Sequence, residues 1–185
     1  MDQALEFSSM SIGGAVVPTI IGSCIEYLKC QKAYLEEGLF RVSGTQSQVD
    51  NLEKKFEQDD ITLDELIGAR YDAHVVSSVL KRYFRFLPDP LIGEYTETSW
   101  KELLDKDPKG RVADLQERIF SLEATHYDVV KLMTEFLVLV HMNANVNKMT
   151  LKNLAIVFSP TLRIPGPIVG ILIEHYEELF KDGAK

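Results

Sequence analysis

The chain has 185 residues, of which 45% are hydrophobic and 26% are charged, and its formal net charge is −8. This length and composition are typical of a single globular domain with a sizeable core. No apolar run approaches the roughly 18 residues that indicate a bilayer-spanning helix. The acidic balance argues against a general binder of nucleic-acid backbones or of membrane surfaces, because both rely on clustered basic residues.

The N-terminal residues show no sustained hydrophobic period, so residues 1–14 are interpreted as a lead-in segment or as residues added for expression. Residues 15–185 are interpreted as one domain. The start also lacks the basic flank, apolar stretch and cleavage site of a secretory signal, which predicts a cytoplasmic protein. Cys24 and Cys30 agree with a reducing compartment, since two cysteines six positions apart in a helical pattern are badly placed to bond to each other.

Periodic apolar positions predict a first helix that begins at Pro18, where the missing amide hydrogen of proline costs little. Its apolar face carries Ile21, Cys24, Ile25 and Leu28. Thr45 followed by Gln48 has the pattern of a capping box, in which two side chains satisfy amides at a helix start, so a second helix is predicted there. The same pattern in Thr62 and Glu65 predicts a third helix.

Asp72 is the predicted cap of a longer helix, which the prolines of "LPDPL" end at Pro88. Two further helices are predicted near residues 94–105 and 111–122. Because the helix that starts at Thr125 has almost no polar face, it is predicted to lie at the centre of the fold.

The C-terminal part is also predicted to be helical. The segment "MTLKNLAIVFSPTL" predicts a capped helix that breaks at Pro160, and a last helix is predicted from Pro167 to Phe180. No stretch shows sustained two-residue alternation with hairpin turns, so no substantial sheet is predicted. The fold class is therefore all-α.

Several kinds of site are absent from the sequence. The four histidines are far apart, and neither Cys-x-x-Cys nor paired His motifs occur, so no metal site is predicted. Walker A, Gly-x-Gly-x-x-Gly and Gly-x-Ser-x-Gly patterns are missing as well. The chain has no recognisable means of binding a nucleotide by itself.

Two segments place basic residues in unusual positions. Arg41 lies in "EEGLFRVSG", between Gly38 and Gly44, and a loop arginine of this kind is usually a helix cap or a partner in a surface ion pair. Lys81 and Arg85, in "LKRYFRFLPDPLI", are four apart on a helix and are predicted to be exposed side by side. Taken alone, that pair reads most simply as a solvated basic face, although an acidic partner would relieve its repulsion.

These two segments, followed by "NKMTLKNLAIVFSPTL", resemble the GTPase-activating domain of Rho-family regulators, the RhoGAP domain. The similarity extends from about Val17 to about Phe180. It implies a compact single-domain bundle of roughly nine helices, which agrees with the all-α prediction. It also implies that Arg41 is a catalytic arginine, delivered in trans into the nucleotide site of a partner GTPase.

The resemblance implies roles for further residues. Lys81 would contribute to the GTPase interface, and Arg85 would support the loop that carries the arginine. Lys148, in the family motif N-K-M, is a further GTPase-binding candidate, while Asn147 reads as a capping and packing residue. Thr161 stands where many members have an asparagine that bonds at the interface, so that contact is expected to be weaker here.

The resemblance implies that the partner is a Rho-family small GTPase in its GTP-bound state, and that the chain acts as a GTPase activator rather than as an enzyme. It would need no cofactor of its own, because GTP and Mg²⁺ belong to the partner. The domain is expected to be monomeric and to reach membranes only through the GTPase or through other domains of a parent protein. The alternative is a non-catalytic interaction module on the same fold; the presence of Arg41 with Lys81 and Arg85 favours catalysis.

Overall fold

A short antiparallel hairpin begins the part of the chain that the computed structural model describes, which comprises residues 9–58 and 61–181. Its strands are β1, Ser9–Ile12, and β2, Ala15–Pro18, with Met10 paired to Val17. Strands of four residues are too short to show alternation in the sequence, which is why no sheet was predicted.

The hairpin overlaps the segment 1–14 that was interpreted as a lead-in. Strand β1 lies within that segment, and Met10 and Ile12 pack against the core. Residues 1–8 lie outside the described residues. At least residues 9–14 are thus continuous with the folded domain.

Eleven α-helices follow in the described part of the chain. They are α1 Thr19–Cys30, α2 Gln46–Gln58, α3 Leu63–Ala69, α4 Ala73–Arg85, α5 Glu97–Leu104, α6 Pro108–Phe120, α7 Ala124–Met142, α8 Ala144–Asn147, α9 Leu151–Leu162, α10 Gly166–Glu174 and α11 Tyr176–Leu179. A 3-10 turn, Ala33–Leu35, follows α1. The all-α prediction is confirmed, and the helices outnumber the expected nine partly because α8 and α11 are single turns.

Helix starts follow the capping residues that the sequence identified. The Thr62 hydroxyl accepts from the amide of Glu65 at 3.3 Å, and the Glu65 carboxylate accepts from the amide of Thr62 at 2.8 Å, so the capping box is complete. Asp72 accepts from the amide of His74 at 2.7 Å, and Pro18 is the N-cap of α1. These starts were predictable because a cap acts within one helical turn.

Pro160 does not break α9, which continues to Leu162, so that predicted helix end is wrong. A proline inside a helix loses one backbone hydrogen bond, but Pro160 lies in the last turn. There the Ser159 hydroxyl donates to the carbonyl of Ile164 at 2.7 Å, and the Ile164 amide donates to the carbonyl of Ser159 at 3.1 Å. These bonds close the end of the helix despite the proline.

The last predicted helix, Pro167 to Phe180, is divided at His175 into α10 and α11. At His175 the backbone has φ −111° and ψ 24°, which is not helical. The division has no marker in the sequence, because neither glycine nor proline occurs at this point.

Helix α7 forms the centre of the domain, as its composition predicted. Its buried residues are Val129, Val130, Leu132, Met133, Thr134, Phe136, Leu137 and Val140. It contacts β2, α1, the 3-10 turn and α8 to α11. Near its middle, the ring of Phe136 meets that of Phe40, which comes from the segment with the loop arginine. The hydrophobic core thus includes the buried side of that segment.

Within residues 9–58 and 61–181, no single helix is long and apolar enough to span a bilayer. Helices α9 and α10 meet the criteria of length and composition only as a pair, and the pair is bent by 116°. The same residues contain no group of three His, Cys, Asp or Glu side chains placed to hold a metal ion. The absence of a metal site therefore stays a prediction.

Candidate functional site

In the arginine loop, residues 38–44, two buried side chains are followed directly by an exposed one. Leu39 and Phe40 are fully buried, whereas Arg41 is exposed. Phe40 has φ +69°, a left-handed conformation that bulky residues rarely adopt. Edge-to-face packing of its ring on Phe158 (5.0 Å between centroids) and on Phe136 (6.0 Å) stabilises this conformation. The reversal of the backbone at Phe40 directs Arg41 to the surface.

The guanidinium of Arg41 lies against the bare backbone of Gly38. A Cβ atom built on Gly38 would be 3.4 Å from Nη2 of Arg41. Within the described part of the chain, no hydrogen bond or ion pair engages the Arg41 side chain. The usual structural roles of a loop arginine, a helix cap or a surface ion pair, are therefore not filled by the described residues.

The two glycines of the loop are required by packing rather than by flexibility. Gly38 has φ +73°, and a Cβ there would be 2.8 Å from Cγ2 of Val42. At the other end, a Cβ on Gly44 would be 2.5 Å from the Cα of Val75, and the amide of Gly44 donates to the hydroxyl of Ser78 at 3.1 Å. The loop is thus held against α4 with no room for side chains at either glycine.

Replacing Gly44 by alanine is expected to lower the free energy of unfolding by about 1–3 kcal/mol, because the new Cβ would force the loop away from Val75. Gly68 is the matched control: it lies inside α3, and a Cβ there has nothing within 4 Å. Gly68→Ala is expected to stabilise the protein by about 0.5–1 kcal/mol through helix propensity. Urea unfolding measures both changes, and equal effects of the two would contradict the packing argument.

Asn147 anchors the start of the arginine loop to the core. It is fully buried, and its amide nitrogen donates to the carbonyls of Tyr34 and Val140, each at 2.7 Å. Its side-chain oxygen accepts from the amide of Met149 at 2.7 Å, and its carbonyl accepts from the amide of Gly38 at 2.7 Å. Asn147 therefore ties the loop to the end of α7, a role beyond the capping and packing that the sequence indicated.

Lys81 holds the arginine loop at Phe40, the residue before Arg41. Its ammonium donates to the carbonyl of Phe40, and its side chain is half-buried. Burial lowers the pKa of the Lys81 ammonium, and repulsion from Arg85 adds to this effect. Lys81 was predicted to be exposed beside Arg85, and only Arg85 is exposed. Here it is the lysine, rather than the arginine, that bonds to the loop, through the carbonyl of Phe40.

Arg82, which the sequence reading did not single out, anchors the helix that carries Lys81. Its guanidinium contacts Asp50 at 2.7 Å and Glu53 at 2.8 Å, both on α2. The hydrogen bond from Arg82 lowers the pKa of the Asp50 carboxyl, whereas burial raises that of Glu53. This pairing joins α4 to the helix that follows the arginine loop. This pairing could not be predicted from local sequence patterns, because the partners lie about 30 residues apart in sequence.

The structure separates the two remaining predicted binding residues. Lys148 is exposed directly after Asn147, with φ +61°, and its ammonium donates to the carbonyl of Asn145 at 2.7 Å. Thr161 is fully buried, and its hydroxyl donates to the carbonyl of Val157 in its own helix at 2.8 Å. The Thr161 hydroxyl is thus satisfied inside α9, and a role of Thr161 in binding a GTPase stays a prediction.

The chain matches the RhoGAP domain family over residues 18–166. It is 34% identical over 172 residues to the probable Rho-type GTPase-activating protein 2 of Schizosaccharomyces pombe, covering 90% of this chain and 13% of that protein. It is 33% identical over 156 residues to human Rho GTPase-activating protein 24, covering 83% of this chain and 20% of that protein. The chain thus spans a fifth or less of the length of these relatives.

Solved structures show the same fold. The BH domain from GRAF, the GTPase regulator associated with focal adhesion kinase, superposes with a TM-score of 0.79 at 26% identity, covering 90% of this chain and 96% of that domain. Human Rho GTPase activating protein 15 superposes with a TM-score of 0.78 at 25% identity, covering 89% of this chain and 84% of that one. The family match, the relatives and the shared fold lead to one conclusion: this chain belongs to the RhoGAP domain family.

Proposed function

We propose that this chain stimulates GTP hydrolysis by a Rho-family small GTPase in its GTP-bound state, and that Arg41 enters the partner's nucleotide site. One observation carries the proposal: an exposed guanidinium, unpaired among the described residues, sits on a loop whose base is fixed by buried contacts. Membership of the RhoGAP family supports the activity, and the geometry of the loop supports the residue.

The chemistry of the guanidinium suits this role. Its planar donors match phosphate oxygens, and it stays charged at any physiological pH. Placed beside the β- and γ-phosphates, it would stabilise the negative charge that develops as the phosphoryl group transfers. The partner would supply GTP, Mg²⁺, the attacking water and the residue that orients the water, so the catalytic centre is shared between two proteins.

The contacts that hold the arginine loop reduce the conformational entropy that is lost on association. Asn147 and Lys81 already hold the backbone before Arg41, and Ser78 holds it after Arg41 through the amide of Gly44, so binding would order little more than one side chain. Arg85 and Lys148 are exposed near the loop, although the protein as a whole is acidic. We propose that these two residues contact the GTPase at short range rather than steer it from a distance.

The experiment is single-turnover GTP hydrolysis by a purified Rho-family GTPase, with and without this chain in excess. The expected result is an acceleration of about 10³-fold or more. A Ras-family GTPase serves as the control and is expected to respond weakly. Binding of the GTP-loaded partner without acceleration would instead favour the non-catalytic interaction module.

A further inference from the structure

Exposed apolar side chains gather beside the arginine loop. Among the described residues, the large apolar side chains that are most exposed include Leu35 (39%), Val42 (45%), Met142 (76%) and Val146 (57%). These four come from two separate stretches of the chain: the 3-10 turn with the loop, and the end of α7 with α8. We call them the apolar ledge.

Hydrogen bonds show that the elements of the ledge are neighbours. The Asn147 side chain bonds to the carbonyl of Tyr34, which places Val146 and Leu35 next to bonded residues. The amide of Gly38 bonds to the carbonyl of Asn147, and Val42 lies over Gly38. The ledge therefore continues directly into the arginine loop.

The C-terminal part of the ledge comes from two consecutive helices. Met142 and Val146 are four residues apart, across the junction of α7 and α8. Asn143 lies at the junction with φ −100° and ψ 18°, which interrupts the helix, and its carbonyl accepts from the amides of Val146 and Asn147 at 2.9 and 3.0 Å. These two bonds keep the junction compact, so Met142 and Val146 stay close to each other.

Exposed apolar patches in globular proteins commonly mark interaction sites. The position of the apolar ledge indicates its partner, because any protein that receives Arg41 must also cover Val42, the next residue. A second copy of this chain fits poorly: a two-fold contact through this face would bring Arg41 and Lys148 of each copy towards the same charges of the other.

We infer that the apolar ledge binds the same GTPase that receives Arg41, against an apolar surface patch bordered by acidic side chains that meet Lys148. This inference rests on the proposed function. The ledge supplies affinity, because it lies beside the loop and carries no group that acts on phosphate. Arg41 raises the rate of GTP hydrolysis in the bound complex. The two contributions are therefore separable by experiment.

The test uses the double variant Met142→Ser/Val146→Ser, which removes apolar surface without adding charge. With the chain in excess over a GTP-loaded Rho-family GTPase, the concentration that gives half the maximal single-turnover rate is expected to rise about 10-fold or more. The maximal rate is expected to stay within about 2-fold of wild type, since Arg41 is untouched.

Val16→Ser is the matched control. Val16 is 47% exposed, and its amide bonds to Asp128 in the first turns of α7, whereas Met142 ends that helix. At 1.5 Å per residue the two positions are about 20 Å apart along the helix, so this control should leave the half-maximal concentration unchanged. Thermal unfolding of each variant confirms that the fold is retained.

The inference would be overturned by an unchanged half-maximal concentration in the double variant, or by an equal rise in the Val16→Ser control. Sedimentation that shows a wild-type dimer, dissociated by the double variant, would also overturn it in favour of a second copy. If wild type binds the GTPase but does not stimulate it, the proposed function fails. Calorimetric titration of the GTP-loaded partner with wild type and with the double variant would then still test whether the apolar ledge contributes to binding, because it measures affinity without catalysis.

Discussion

Arg41→Ala is expected to reduce the stimulated rate of GTP hydrolysis by about 10³–10⁵-fold, the range typical of an arginine that a GTPase-activating protein supplies in trans. This corresponds to roughly 4–7 kcal/mol of lost transition-state stabilisation. Folding should be unaffected, because no described residue bonds to the Arg41 side chain. A single-turnover assay at saturating chain concentration measures the loss.

The dependence of that assay on chain concentration tells apart two ways of losing activity. If Arg41 acts on the transition state, the maximal rate falls and the half-maximal concentration changes little. Loss of binding with an unchanged maximal rate would instead make Arg41 a docking residue. The apolar-ledge variants should show the opposite pattern, so the two sets of variants control for each other.

Phe40→Ala is expected to lower the free energy of unfolding by about 3–5 kcal/mol, because it empties a site that is fully buried. The same change removes the ring contacts with Phe136 and Phe158 that stabilise the left-handed backbone. Stimulation of the GTPase should fall as well, even at temperatures where the variant stays folded, since Arg41 would no longer be directed outward. Chemical denaturation and the single-turnover assay measure the two effects.

Phe86→Ala is the control for this change. Phe86 follows α4 and is 74% exposed, so its removal should alter the free energy of unfolding by no more than about 0.5 kcal/mol. Comparable destabilisation by the two variants would show that Phe40 is not the internal anchor of the loop. Full activity in a folded Phe40→Ala protein would show that the loop keeps its shape without the ring.

Local signals were enough to predict much of the fold. Thr62, Asp72 and Pro18 begin helices because a cap acts on amides within the next turn, and that information lies in adjacent residues. The central position of α7 followed from the absence of a polar face. The break at His175 and the continuation through Pro160 depend on how the chain packs, and the local sequence carries no sign of either.

The site was predicted less completely, for a physical reason. That Arg41 belongs to a loop and lies at the surface followed from its motif, but the left-handed Phe40 that directs it outward depends on rings far away in sequence. The bonds of Lys81 and Asn147 to the loop span 41 residues and more than 100 residues of chain. One sequence does not show which of its polar side chains are used internally, and the bond of Thr161 within α9 is an example.

The central claim is that a guanidinium from this chain acts in a partner's nucleotide site. Its most direct test is the maximal single-turnover rate with wild type, Arg41→Lys and Arg41→Ala, all at saturating concentration against one GTP-loaded Rho-family GTPase. We predict that lysine resembles alanine, because a point charge lacks the planar, forked donors of arginine. An Arg41→Ala protein as stimulatory as wild type would contradict the claim.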